Sequence, residues 1–158
     1  MNNNPNILLI YHFGRSGSIF FQSLFDGHPN CFTIPGTYVS SLSLWFKNNN
    51  YLEHTNLIES FCEHHPYLFD PLAKSVLKQI NGISPGIDLN FHKMGEHKNK
   101  KIFIDKNLFK KFLLICLNEN FSRKITFENF FYSIHKSYAL SLGIDWSKIK
   151  LIAFQVHS

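Results

Sequence analysis

The opening of the chain constrains its fold more than any other stretch. Ile7-Leu8-Leu9-Ile10-Tyr11 is an uninterrupted apolar run between an Asn- and Pro-rich start and Gly14. Short and without polar alternation, it suits a strand buried on both faces of a parallel sheet, so the sequence is read as opening on a central strand. Gly17 to Phe25 then sets Ile19, Phe20 and Leu24 at helical spacing, with Ser16 or Ser18 as candidate cap and a stop at Gly27-His28-Pro29. The order is strand, glycine turn, helix.

The rest of the chain continues the alternation. Cys31-Phe32-Thr33-Ile34 reads as a second, shorter strand closed by Pro35-Gly36. Val39 to Ile80 is mostly helical in pattern, with breaks at Lys47-Asn48-Asn49-Asn50 and at His65-Pro66. Ile83 to Lys100 reads as a long surface loop, and Lys101 to Asp105 has strand character. Leu108 to Leu117 and Phe127 to Leu142 read as helices, the latter capped by Thr126 and ended by Gly143, and Ile149 to Val156 as a final strand. With no hairpin-type turn between adjacent strands, the pattern predicts one α/β domain over 1–158, a parallel sheet flanked by helices.

Composition narrows the classes further. At 158 residues, 44% hydrophobic and 17% charged, the chain has the balance of a folded domain rather than a disordered one. No apolar run approaches the ~20 residues that span a bilayer, and the first residues offer no charged leader, so no transmembrane segment and a cytoplasmic location are expected. Cys31, Cys62 and Cys116 lack CxxC spacing and read as buried free thiols. A net charge of +5 favours anionic partners only weakly. The most basic stretch, His92 to Lys101, has no interleaved aromatic platform and reads as a solvated loop, so no nucleic acid is expected.

Gly14-Arg15-Ser16-Gly17-Ser18 stands where strand gives way to helix, a position at which backbone N–H groups attract anions. On turn chemistry alone it serves equally as an ordinary strand-to-helix connection. Against the nucleotide-hydrolase pattern GxxxxGK[ST], Ser18 replaces the lysine and Ile19 the Mg²⁺-holding hydroxyl, which disfavours a P-loop kinase. Arg15 supplies a planar cation suited to an anionic group. A transferring sulfuryl group bears less charge than a terminal phosphoryl group and can be served by protein cations without a metal.

The stretch from Gly14 to Pro29, ending Asp26-Gly27-His28-Pro29, resembles the 5′-phosphosulfate loop of the sulfotransferase superfamily, in its tyrosylprotein-type and bacterial branches. The resemblance implies a P-loop-like fold with 3′-phosphoadenosine 5′-phosphosulfate (PAPS) as co-substrate and no metal. It also implies that Gly14, Arg15, Ser16, Gly17 and Ser18 hold the 5′-phosphosulfate. Ile19 stands where the family usually has Thr, so one hydroxyl contact is missing. Asp26 and His28, at the far end of the helix, read as chain-reversal residues rather than an acid/base pair.

Ligands in open parallel sheets bind outside the carboxyl ends of the strands, which selects Arg15, Asp105-Lys106 and His157-Ser158. Ile104-Asp105-Lys106-Asn107 is similar to the catalytic-lysine segment of the tyrosylprotein-type enzymes, so Lys106 is a candidate for stabilising the leaving oxygen. It is equally well a solvated lysine at a helix start. His157 is the favoured general base by its place at a strand end; His54, His64 and His65 are alternatives that read as ordinary, partly exposed imidazoles. The family's 3′-phosphate segment has no counterpart before Ser158, and Arg123-Lys124 lacks the strand that would precede it. The expectation is therefore an incomplete sulfotransferase domain, joined by a missing C-terminal segment and acting on a small-molecule, saccharide, lipid or peptide acceptor. The alternative is a non-catalytic anion-binding remnant of the same fold.

Overall fold

A computed structural model of the chain describes residues 4–12, 18–34, 38–70, 93–94, 100–119 and 125–157. In chain order the elements are β1 (Asn6–His12), α1 (Ser18–Ser23), β2 (Cys31–Phe32), α2 (Val39–Asn49), α3 (His54–His64), a 3₁₀ turn (Pro66–Leu68), β3 (Lys93–Met94), β4 (Lys100–Lys101), α4 (Lys106–Glu119), α5 (Phe127–Ser141), a second 3₁₀ turn (Trp146–Lys148) and β5 (Leu151–His157). The fold is mixed α/β. Its main sheet is parallel, in the order β1-β5-β2, and β3 pairs antiparallel with β4 in a separate two-stranded ladder.

The strand order explains why helices lie on both faces. The connection from β1 to β2 steps across β5, and the connection from β2 to β5 returns the other way. Right-handed crossovers in opposite directions put their helices on opposite faces. Phe32 and Ile152 are register partners and share a face with Phe154, whose ring lies 5.1 Å from Phe131 of α5. Thr33 points to the other face, where its Oγ1 accepts from Gln22 Nε2 of α1 at 2.6 Å.

The core is built mainly from aromatic rings of the helical layer. Phe130 of α5 is fully buried, stacked on Trp45 and Phe46 of α2 with centroids 5.8 and 5.2 Å away, and meets Phe61 of α3 edge-on at 5.7 Å. Behind them α4 packs on α5 and α3, with Phe109 against Phe61 and Tyr138. Thr126 caps α5 as expected, its Oγ1 accepting from Asn129 N at 3.1 Å. Gly143, just past the end of α5, and Gly27, in the turn four residues after α1, have φ of 73° and 77°, the left-handed region that glycine enters without strain. The three cysteines are free and buried. No helix among the described residues is long and apolar enough to cross a membrane.

Three expectations are corrected. First, β1 is an edge strand among the described residues, because both β1 and β2 pair with β5. Ile7, Leu9 and Tyr11 are in register with Ile152, Phe154 and Val156 and continue the core face beyond the reach of α5, remaining 46%, 51% and 58% exposed. Second, Lys101 to Asp105 does not enter the parallel sheet; Lys100–Lys101 pairs with Lys93–Met94 instead. Asp105 Oδ1 accepts from Asn107 N at 2.8 Å and Leu108 N at 3.2 Å, a side-chain cap that starts α4 and competes with strand extension. Third, the loop expected over Ile83 to Lys100 contains the β3 side of that ladder, so antiparallel pairing is present after all.

An apolar edge stripe on β1 without a charge or proline is an association hazard. The purified chain is expected to self-associate with rising concentration, and Leu9→Lys to reduce this while leaving the melting temperature nearly unchanged. Sedimentation velocity decides it: a wild-type chain monomeric across the concentration range counts against an adhesive stripe.

Candidate functional site: the carboxyl edge of the parallel sheet

β1 and β5 run in register from Asn6↔Leu151 to His12↔His157, so both reach the carboxyl edge of the sheet at the same level. There the chain leaves β1 after His12 and enters α1 at Ser18. Gly14, Arg15, Ser16 and Gly17 fall between those points and lie outside the described residues, as do Ser158 and Arg123-Lys124. Ser18 is the first residue of α1 and His157 the last of β5. Lys106 opens α4, with its Nζ 5.7 Å from the centre of the Phe69 ring, and the residues before it, Lys101 to Asp105, do not belong to the parallel sheet.

Beneath α1 lies a polar layer that sequence patterning did not reveal. Gln22 is buried and donates from Nε2 to Thr33 Oγ1 and, at 3.0 Å, to the Ile34 carbonyl, tying α1 to the chain just beyond β2. Gln155 of β5 is register partner to Ile10, two residues before β1 ends, and lies on the same face as Ala153. It is 1% exposed, and its Oε1 has no hydrogen-bond partner among the described residues. Outward, α1 exposes Phe20 and Phe21, and Leu24 is exposed in the turn that follows it. Gln22 falls within an otherwise apolar helical pattern, and that was the available sign.

The histidines divide by environment. His54 Nδ1 lies 3.3 Å from Asn118 Oδ1 at the wall of an open groove of about 560 Å³, lined also by Tyr51, Glu53, Leu114 and Ile125 and by no residue of the sheet. His64 is partly buried beside Trp45, and burial lowers its pKa. His65 corrects the expectation of a partly exposed imidazole: it is 1% exposed, its Nδ1 is 3.1 Å from Tyr67 Oη, and its Nε2 has no partner among the described residues. Burial, with the neighbouring His64 adding to it, pushes the His65 pKa down to about 3. His135, not singled out by the sequence, is fully buried and held down to about 4 by burial, against the opposing effect of its bond to the Phe131 carbonyl. That carbonyl can only accept, so Nδ1 carries the proton at 2.8 Å, and Nε2 accepts from Tyr38 Oη at 3.1 Å. Burial holds the Tyr38 phenol well above its ordinary range, keeping it a donor. These rings brace α2 against α5 as neutral groups.

His28 Nδ1 accepts from Asn30 N at 3.1 Å, within the reversal that follows α1. Among the described residues, no three His, Cys, Asp or Glu side chains gather as metal ligands would. Compared with models of protein families, with curated proteins and with solved structures, the chain matches none.

Proposed function

We propose that the carboxyl edge of the sheet holds the sulfuryl-donor end of PAPS, and that the chain is a sulfotransferase domain, or part of one, of P-loop-like fold. One observation carries the reading: in chain order the Gly14 to Ser18 motif follows the end of β1, where His12 and His157 stand in register, and leads into α1 at Ser18. A buried carboxamide with an unpaired oxygen close to that edge fits a polar ligand better than it fits a plain packing layer. PAPS, when bound, supplies the sulfuryl group: its S–O bond to the 5′-phosphate breaks as a bond forms between sulfur and the acceptor oxygen or nitrogen.

The chain's own part is to hold charge and move one proton. Arg15 offers a permanently charged, planar set of donors to the phosphosulfate, and the backbone N–H groups of Ser16 to Ser18 add dipoles without a counter-charge. His157, at the end of β5, takes the proton released by the acceptor. Lys106, which opens α4, is the candidate cation for stabilising the leaving oxygen.

Replacing Arg15 by Ala is expected to weaken binding of the desulfated cofactor, 3′-phosphoadenosine 5′-phosphate, at least tenfold, about 1.4 kcal/mol. Calorimetric titration reads this directly. An unchanged dissociation constant removes Arg15 from the site, and a wild-type chain that binds neither cofactor form removes the reading itself.

A further inference from the structure

We propose that the groove between the α2–α3 link and the last turns of α4 binds a small neutral saccharide, with a sugar ring seated on Tyr51. The proposal does not rest on the PAPS reading, since no residue of the sheet lines this groove. Its form follows from the chain. α2 stops at Asn49, and Leu52 N donates to the Asn49 carbonyl at 3.0 Å, a tight turn that leaves Tyr51 79% exposed while Leu52 packs against the core. Glu53 then leads into α3 from an extended backbone, and Leu114 of α4, packed on the same core, adds to an apolar floor.

The lining selects the ligand. Asn118 Oδ1 only accepts, so His54 Nδ1, 3.3 Å away, donates to it, and this pair links α3 to α4 before any ligand arrives. Glu53, exposed at the same rim, offers a carboxylate with two acceptor oxygens. Planar polar groups around an apolar floor, with a water-exposed aromatic ring beside them, match a sugar ring: its C–H face lies on the aromatic ring, and its neighbouring hydroxyls bond to carboxylate and carboxamide. Other ligands fit less well. No Lys or Arg among the described residues lines the groove, and the Glu53 carboxylate repels a phosphate or sulfate. A wholly apolar ligand would strip water from the carboxylate and carboxamide and return no hydrogen bond. The volume of about 560 Å³ falls within the range of small-molecule sites.

The test uses the full chain, with cellobiose, maltose and chitobiose as neutral probes, followed by calorimetry and by ligand-observed NMR. At least one of them is expected to bind saturably, with a dissociation constant of about 1 mM or tighter. Tyr51→Ala should weaken that binding at least about tenfold and leave the melting temperature unchanged, because the ring is exposed. Tyr51→Phe keeps the aromatic face and should hold the affinity within about twofold of wild type. Asn118→Ala removes a rim group on the other helix and should cost about threefold or more. Inorganic phosphate is expected not to displace the bound disaccharide. A folded chain that binds none of the three probes overturns the proposal, and so does binding that Tyr51→Ala leaves intact. Displacement by phosphate overturns the assignment to a neutral ligand. None of these outcomes depends on whether the chain binds PAPS.

Discussion

Phe130→Ala is expected to remove about 3–5 kcal/mol of folding stability, the range for truncating a fully buried aromatic ring. That is a large part of the total for a domain held together by about 5–15 kcal/mol. Phe130 joins α2, α3 and α5 through Trp45, Phe46 and Phe61, so its loss leaves all three partners facing a void. Phe20, 70% exposed on the outer side of α1, is the control, and Phe20→Ala should change stability by no more than about 0.5 kcal/mol. Urea midpoints at neutral pH separate the two. Comparable losses at both positions would mean that the helical layer is not organised around Phe130.

Acid should unfold the chain by way of its buried imidazoles. His65 and His135 titrate near 3 and 4 in the folded protein, against an ordinary 6.5. A lowered folded pKa means that the unfolded chain binds more protons below about 6.5. The stabilisation is therefore complete above that pH and is lost progressively as pH falls toward 4 and then 3. Each buried ring contributes up to about 1.4 kcal/mol per pH unit within its window. The urea midpoint is expected to fall steeply between pH 6.5 and 4.5. His65→Leu also removes the unpaired Nε2, and it should flatten the profile by about half. A variant as acid-sensitive as wild type would clear His65 of the effect.

Local signals in the sequence read well where one residue decides the backbone. Thr126 marked the start of α5, Gly143 marked its end, and the Asn-rich stretch at Lys47–Asn50 and His65-Pro66 marked the breaks around α3, whereas α1 stops at Ser23, short of Gly27. Pairing was less legible, since an apolar run such as Ile7 to Tyr11 marks a strand but neither its neighbours nor how far they cover it. β1 was read as central although β5 holds that place. Lys101 to Asp105 shows the same limit, because strand propensity over a few residues yields to one aspartate cap. At the candidate site, the Gly14 to Ser18 motif was visible as letters, whereas the polar layer of Gln22, Thr33 and Gln155 exists only once two distant strands and a helix meet. His65 and His135 were invisible for the same reason, since nothing local distinguishes a buried imidazole from a wet one.

The strand order also governs how the molecule comes to be folded. β1 and β2 do not pair with each other; each waits for β5, with Asn6 and Cys31 both finding Leu151 as partner. No sheet hydrogen bond of the parallel set can form until nearly the whole intervening chain has been closed into a loop, the kind of non-local contact that slows folding. The pair α4 and α5 bears no such delay, being close in sequence and packed on each other. Topology thus favours early docking of α4 on α5, with the parallel pairing expected late. In that interval Ile7 to Tyr11 is an unpaired apolar segment awaiting its partner, and the yield of folded protein depends on how long it stays unclaimed.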